Sequence, residues 1–86
     1  MHSPRVHAVA TVLRDGRVLV TGGEDGNRTL DSAETYSVLT GKWTLTARMT
    51  SQRANHTATL LSDGRVLVVG GNTGSSDLVS AELFQP

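Results

Sequence analysis

Short runs of β-branched and aliphatic residues alternate with polar, glycine-rich segments along the whole chain. The apolar positions do not follow the period of about 3.6 residues that marks an amphipathic helix. Valine, threonine and leucine dominate these runs, and the first two favour strands. The pattern therefore predicts an all-β fold whose strands cover residues 9–13, 17–20, 32–37, 42–47, 57–61, 65–69 and 80–84.

The chain also repeats itself with a period of 48 residues. The hexapeptide Asp-Gly-Arg-Val-Leu-Val begins at Asp15 and again at Asp63, and half of the aligned positions are identical when residues 1–38 are placed on residues 49–86. A period of about 40 to 50 residues is typical of propeller blades, among other repeat units. We therefore predict two antiparallel blades, a four-stranded one over residues 1–48 and a second over residues 49–86 that lacks the outermost strand.

Each repeat has a hairpin signal followed by a glycine pair. Asp15-Gly16 and Asp63-Gly64 each separate two apolar runs, which predicts a hairpin with a two-residue type I′ turn. The return strands that follow are nearly continuous in apolar residues, which predicts burial on both faces. Each return strand is closed by Gly-Gly, where backbones crowd or the chain turns sharply.

Composition excludes several classes of partner and site. The chain has 8 basic and 8 acidic residues, a net charge of zero and no run of like charge. We therefore expect no binding to nucleic acid, which needs a clustered basic field. There is no apolar run of the length that predicts a membrane span. There is no cysteine, so disulfides and thiolate metal sites are excluded, while the compartment stays open.

The repeat resembles the kelch family of β-propellers over essentially the whole chain. An apolar strand ends in Gly-Gly, an aromatic residue follows thirteen residues later, and a tryptophan follows seven residues after that. These residues are Gly22, Gly23, Tyr36 and Trp43 in the first repeat, and Gly70, Gly71 and Phe84 in the second. The run from His56 to Gly71 is especially similar to bacterial kelch and galactose-oxidase-like propellers. The resemblance implies four-stranded blades in a ring of six or seven, of which this chain supplies about one and three-quarters.

Two blades alone leave two apolar sheet faces uncovered, and such faces mark an interaction surface or an aggregation liability. We expect a non-enzymatic module whose copies close into a homo-oligomeric ring that presents loops for a protein or peptide ligand. A trimer of six blades is favoured and a tetramer of eight comes next. Two alternatives stay open: a fragment of a larger galactose-oxidase-like, carbohydrate-directed propeller, or a designed or reconstructed repeat module.

The resemblance also implies a ligand pocket on one face of the ring. In kelch adaptor proteins such a pocket is lined by arginines before the innermost strand and by polar residues of the loop after the Gly-Gly pair. The matching residues here are Arg5, His7, Arg53, Asn55, Asn27 and Ser75. The alternative for the arginines is structural, because Glu34 and Glu82 recur with the same period and begin strands at the same end. We prefer this alternative, in which the arginines form a repeated ion pair with the glutamates.

No catalytic residue, cofactor or metal site is predicted. The copper site of galactose oxidases needs a cysteine-linked tyrosine, a second tyrosine and two histidines, whereas this chain has no cysteine and one tyrosine. His7 and His56 are one residue out of register with the repeat. We expect these histidines to be hydrogen bonded to backbone at the sheet end rather than to hold a metal. Asp15 and Asp63 are explained by turn chemistry.

Overall fold

The computed structural model of the chain describes residues 3–86. These residues form seven short strands, and no described element is a helix that could span a membrane. The strands are β1 (Val9–Val12), β2 (Val18–Thr21), β3 (Ala33–Ser37), β4 (Lys42–Leu45), β5 (Thr57–Leu60), β6 (Val66–Val69) and β7 (Ala81–Phe84). Each coincides with a predicted run to within about two residues, the usual uncertainty of strand ends, so the all-β prediction is confirmed.

The strands form two antiparallel sheets. The first sheet has the order β1-β2-β3-β4, and the second has the order β5-β6-β7. Leu19 of β2 lies opposite Thr35 of β3, and Leu67 of β6 lies opposite Leu83 of β7. These two pairs occupy the same positions of the 48-residue repeat. The sheets are therefore copies of one another in register as well as in order, as expected for propeller blades.

The predicted hairpins are present, but their turns are not of type I′. The Leu13 N–H donates to the Arg17 carbonyl (2.8 Å), and the Gly16 N–H donates to the Leu13 carbonyl (3.0 Å), so the loop has three residues rather than two. Of these three, Gly16 alone has positive φ, at 89°. The Asp15 carboxylate accepts from the backbone N–H and Nε of Arg17 at 3.1 and 2.7 Å. The prediction of a two-residue turn was wrong because a three-residue loop needs only one left-handed residue, which glycine supplies.

The two sheets pack face to face, and this internal interface is the core of the molecule. Side chains alternate between the faces of a strand, so Leu19 lies on one face of the first sheet and Val18 and Val20 lie on the other. The face with Leu19 packs against the face of the second sheet that carries Val66 and Val68. The buried apolar residues of this core are Leu13, Leu19, Ala33, Met49, Val66, Val68 and Phe84. Met1, which the repeat aligns with Met49, lies outside the described residues.

The return strands β2 and β6 each bury one face. Leu19 of β2 is fully buried, whereas the equivalent Leu67 of β6 is half-buried. In β6 the fully buried residues are Val66 and Val68, on the opposite face. Their apolar sequences predict burial on both faces. Each strand instead buries one face, and the buried face differs between the two strands, because each sheet covers the other from one side only.

Hydrogen bonds fix the two sheets together at both ends. The Gly23 N–H donates to the Arg53 carbonyl (2.8 Å), and the Arg53 N–H donates to the Leu30 carbonyl (3.1 Å). At the hairpin end, Nη1 of Arg14 donates to the Ser62 carbonyl (2.6 Å). Apolar packing therefore supplies the contact area of the interface, and these directional bonds fix its register.

Candidate functional site

Arg5 lies under the loops, where it joins three segments of the first sheet. Its Nε and Nη2 donate to Oε2 of Glu34 at 3.2 and 3.0 Å, and its Nη1 donates to the carbonyls of Gly22 and Ser32 at 2.8 and 3.0 Å. Its Nη2 also donates to Oγ of Ser32 (2.9 Å). The side chains of the ion pair are 1% and 0% exposed. A guanidinium has five N–H donors, and these five bonds use all of them.

Arg53 repeats this network in the second sheet. Its Nε donates to Oε2 of Glu82 (3.2 Å), and its Nη1 donates to the carbonyls of Gly70 and Ser80 at 3.0 and 2.9 Å. Burial raises the pKa of Glu82, but hydrogen bonds from Thr50 and Arg53 outweigh this effect and hold the pKa below its usual value. Both ion pairs that the period indicates are therefore present, and both arginines are parts of the sheet scaffold.

His7 and Asn55 occupy equivalent, exposed positions beside these arginines. They are the non-glycine residues with positive φ among residues 3–86, at 58° and 57°. The Asn55 N–H donates to the His7 carbonyl (3.1 Å), so the structure brings the two loops together. Nδ1 of His7 lies 3.0 Å from Oε2 of Glu24. The side-chain partner of His7 is thus a carboxylate, and the expectation of a backbone partner was wrong.

Asn27 and Ser75 lie on the two loops that follow the Gly-Gly pairs, and these loops face each other. A cleft of about 330 Å³ between them is lined by both residues together with Glu24 and Thr73. Glu24 also contacts His7, which connects the cleft to the loops before β1 and β5. The candidate ligand-binding residues that meet at this end of the sheets are therefore His7, Asn27, Asn55 and Ser75, which we call the loop face. Its amide, hydroxyl and imidazole groups, with the neighbouring carboxylate of Glu24, supply donors and acceptors of the kind that polypeptide backbone requires.

A larger cleft of about 460 Å³, which the sequence did not indicate, lies beside the first sheet. Its lining includes Arg28, Arg48, Asp25 and Asp31. Nη1 of Arg48 donates to Oδ1 of Asp31 (2.7 Å), and Nε of Arg28 lies 3.9 Å from Oδ2 of Asp25. Backbone N–H groups that donate to Asp25 hold the pKa of its carboxyl below the usual value. The four charges are paired, so the cleft carries no net charge from them.

His56 lies in the internal interface and is 5% exposed. Its Nε2 shares a hydrogen bond of 2.9 Å with Oγ1 of Thr21, across the two sheets. Its Nδ1 is buried without a hydrogen-bond partner among residues 3–86. Burial lowers the pKa of His56, the positive charge of Arg53 lowers it further, and Glu82 partly opposes both. The sequence interpretation placed this histidine against backbone and missed the contact. The sequence does contain a signal for this contact, because both of its residues depart from the repeat: Thr21 aligns with Val69, and His56 aligns with Ala8.

No three histidine, aspartate or glutamate side chains within residues 3–86 are arranged to hold a metal ion. His56 and His7 have separate partners, Thr21 and Glu24.

The faces used by the internal interface recur on the outside of the molecule. Thr21 is 1% exposed, whereas the equivalent Val69 is 40% exposed; Thr35 is 4% exposed, whereas the equivalent Leu83 is 50% exposed. The open face of the second sheet consists of Thr57, Thr59, Leu67, Val69, Ala81 and Leu83. The open face of the first sheet consists of Ala10, Val12, Val18, Val20, Tyr36, Trp43 and Leu45. The rings of Tyr36 and Trp43 lie 4.9 Å apart on this face, tilted by 47°.

The two glycine pairs also differ in whether the other sheet covers them. Gly22 has φ of 61°, and a methyl group placed on it would collide with the Arg53 carbonyl and lie 2.9 Å from Cε1 of His56. Gly70, the equivalent residue with φ of 67°, has the Leu78 carbonyl oxygen as its nearest such neighbour, at 3.8 Å. The internal interface therefore requires glycine at position 22 because of space, whereas the space beside Gly70 is open.

The comparisons with known proteins agree with this architecture. The family model of the Kelch motif matches residues 4–50, which is more than half of the 86 residues. A comparison with curated proteins finds none that matches the chain. The matched segment includes all four strands of the first sheet, the buried pair of Arg5 and Glu34, and the contact between Tyr36 and Trp43. With its repeated antiparallel sheets and this match, the chain belongs to the kelch motif family.

Proposed function

We propose that this chain is a non-enzymatic, kelch-type β-propeller module whose copies assemble into a closed ring. The ring presents the loop face for a protein or peptide ligand. A trimer of six blades is the assembly that we favour, with a tetramer of eight blades next. Because each chain carries two blades, a symmetric ring of identical copies has an even number of blades.

The observation that carries the proposal is the complementarity of the two open faces. Within the chain, one face of the first sheet packs on the opposite face of the second. By the repeat alignment, the open face of the second sheet corresponds to the buried face of the first sheet. The open face of the first sheet likewise corresponds to the buried face of the second. A second copy can therefore repeat the internal interface between molecules. Such a head-to-tail contact closes into a ring when the rotation fits.

The open faces also have the composition that such a contact requires. Val12, Leu45 and Leu83 are 62%, 56% and 50% exposed, and they lie on sheet faces rather than singly on loops. Exposed apolar faces of this kind on a soluble protein mark interaction sites. The alternative occupant is the neighbouring blade of a longer propeller, which would cover the same faces without self-association.

The loop face supports the binding part of the proposal. His7, Asn27, Asn55 and Ser75 are exposed, whereas Arg5 and Arg53 are held below them with their donors already used. Peptide recognition at this end would therefore depend on hydrogen bonding by these four side chains and on Glu24. In a ring of copies the loop faces of all chains lie on one side, because each copy is related to the next by the same rotation.

Native mass measured by light scattering after size exclusion, over a concentration series, tests the assembly. Three chains of 9.1 kDa give a species of about 27 kDa, and four give about 36 kDa. The variant Gly70→Ala places a methyl group where the repeat predicts the Arg5 carbonyl of a second copy. The expected result is a folded chain that no longer assembles.

Gly26→Ala is the matched control. Gly26 also has positive φ, at 96°, and an added methyl group meets nothing within 4 Å, so this variant carries the backbone strain without blocking a sheet face. It is expected to assemble like the wild type. A wild-type species that stays at 9.1 kDa at every concentration would overturn the ring and favour the longer propeller.

A further inference from the structure

Within residues 3–86, a buried polar contact joins a side chain of the first sheet to a side chain of the second across the internal interface. Oγ1 of Thr21 and Nε2 of His56 share a hydrogen bond of 2.9 Å, and the two residues are 1% and 5% exposed. Cε1 of His56 also lies beside Gly22, where a side chain on the glycine would collide with it. The Thr21 hydroxyl and Nε2 of His56 are therefore partners at the centre of a largely apolar contact.

At the equivalent positions of the open faces, both members of this pair are apolar. The residue aligned with Thr21 is Val69 on the second sheet, and the residue aligned with His56 is Ala8, at the start of the first sheet. Val69 is 40% exposed, and Ala8 is half-buried. The two departures from the repeat are thus matched: a polar pair lies inside the molecule, and an apolar pair takes its place on the outside.

The backbone is the same at both positions, so the difference lies in the side chains. A methyl group placed on Gly23 would lie 3.0 Å from Cβ of Ala8, and one placed on Gly71 would lie 2.9 Å from Cβ of His56. The glycine pair of each sheet therefore approaches the chain before the innermost strand at the same distance. A histidine at position 8 would start from the position that His56 occupies in the second sheet.

Mixed combinations of these faces lose the hydrogen bond between the two sheets. Val69 against His56 would give Nε2 of the imidazole no side-chain partner, and Thr21 against Ala8 would leave the threonine hydroxyl with only the Val9 carbonyl, 3.5 Å away. An unsatisfied polar group in an interface costs more than a matched apolar pair of similar shape. Unpaired polar groups are one way in which interfaces reject incorrect partners.

We propose that the open face of the second sheet around Val69 binds the open face of the first sheet around Ala8 in another copy of this chain. The Val69–Ala8 pair is the contact between copies that corresponds to the Thr21–His56 pair within each copy. This inference rests on the proposed function and identifies the contact and its specificity. The occupant of both faces is thus a second copy, set in the register of the internal interface.

A double-mutant cycle on the full chain tests the pairing. Ala8→His alone places a histidine against Val69, and Val69→Thr alone places a hydroxyl against Ala8. Ala8→His alone is expected to weaken association of copies by about tenfold or more, measured by sedimentation equilibrium. Val69→Thr alone is expected to weaken it less, because the new hydroxyl has the carbonyl of Thr57 on the neighbouring strand as an acceptor, as Thr21 has that of Val9. The double variant Ala8→His with Val69→Thr recreates the Thr21–His56 pair between copies and is expected to return to within about threefold of the wild type. Far-UV circular dichroism and thermal melting of each variant establish that the fold is retained.

The outcomes separate this inference from the proposed function. The pairing is overturned, and the ring is left standing, if the wild type assembles but the single variants do not weaken association. The same holds if the effects of the two substitutions add in the double variant. Wild type that remains a monomer overturns the ring and the pairing together. Val38→Thr is a control because Val38 is exposed and lies outside the open faces, so this variant is expected to associate like the wild type.

Discussion

The Oγ1 atom of Thr21 and the Nε2 atom of His56 lie 2.9 Å apart across the interface of the two sheets. This bond ties the end of β2 to the residue before β5. The other ring nitrogen of His56 has no partner among residues 3–86, so the site has no acceptor there for a second N–H. The interface therefore favours the neutral imidazole, which agrees with the direction of its pKa.

The first prediction concerns pH. Because the pKa of His56 is lower in the folded chain than its usual 6.5, the unfolded chain takes up a proton more readily as the pH falls. The stabilising contribution of neutral His56 is therefore complete above about pH 6.5 and decreases below it. Urea unfolding between about pH 8 and pH 5.5 is expected to show this decrease.

His56→Gln keeps a hydrogen-bonding group near Thr21 but does not titrate, so it is expected to flatten that pH dependence. His7→Asn is the matched control, because it removes a histidine that lies at the exposed loop face. An unchanged slope in His56→Gln, or a flattened slope in His7→Asn, would contradict the assignment. Arg53 and Glu82 are the charged groups that act on His56, and neither is altered in these variants.

The second prediction concerns the buried ion pairs. Arg5→Ala leaves the carboxylate of Glu34 buried without its guanidinium partner, and losing one member of a buried pair typically costs about 3–5 kcal/mol in the free energy of unfolding. Arg17→Ala removes an arginine that is 43% exposed and pairs with Asp15 on the surface, so its stability is expected to stay close to that of the wild type. Chemical denaturation of the two variants checks the difference. Equal losses in both would mean that the buried network has no special role.

The third prediction concerns the left-handed residue Asn55. Asparagine tolerates positive φ better than other residues with a side chain, so Asn55→Ala is expected to lower the free energy of unfolding by about 1 kcal/mol. Asn55→Gly should recover most of this loss because glycine adopts the same φ without strain. Asn27→Ala serves as the control on the same loop face, since Asn27 is not a positive-φ residue. If the glycine variant is as unstable as the alanine variant, the loss lies in the side chain instead.

The fourth prediction compares two leucines that the repeat makes equivalent. Leu19→Ala empties a fully buried position of the internal core and is expected to cost about 2–5 kcal/mol. Leu67→Ala alters the open face of the second sheet, so its cost in the dissociated chain is smaller. Thermal melting over a concentration series checks this. The melting temperature of Leu67→Ala should lose its concentration dependence, whereas that of Leu19→Ala should fall at every concentration.

Much of the fold could be predicted from the sequence alone. The period of 48 residues, the Gly-Gly pairs and the β-branched runs determined the number, order and approximate bounds of the strands, because each depends on local propensity and on spacing. The pairing of Arg5 with Glu34 was also accessible, since both residues recur with the period. The turn geometry could not be predicted, because two-residue and three-residue loops share the Asp-Gly signal and differ only in the register of the strands that they connect.

The tertiary structure alone decided which of two similar faces is covered. Leu19 and Leu67 follow the same motif, yet one is fully buried and the other half-buried, because each sheet lies on one side of the other. The same asymmetry encloses the contact between Thr21 and His56 and leaves Val69 on an open face. A repeat sequence determines the shape of each unit, since that depends on contacts within the unit. Which face is covered depends on the neighbouring unit. The effect of each residue that departs from the repeat depends on that unit as well.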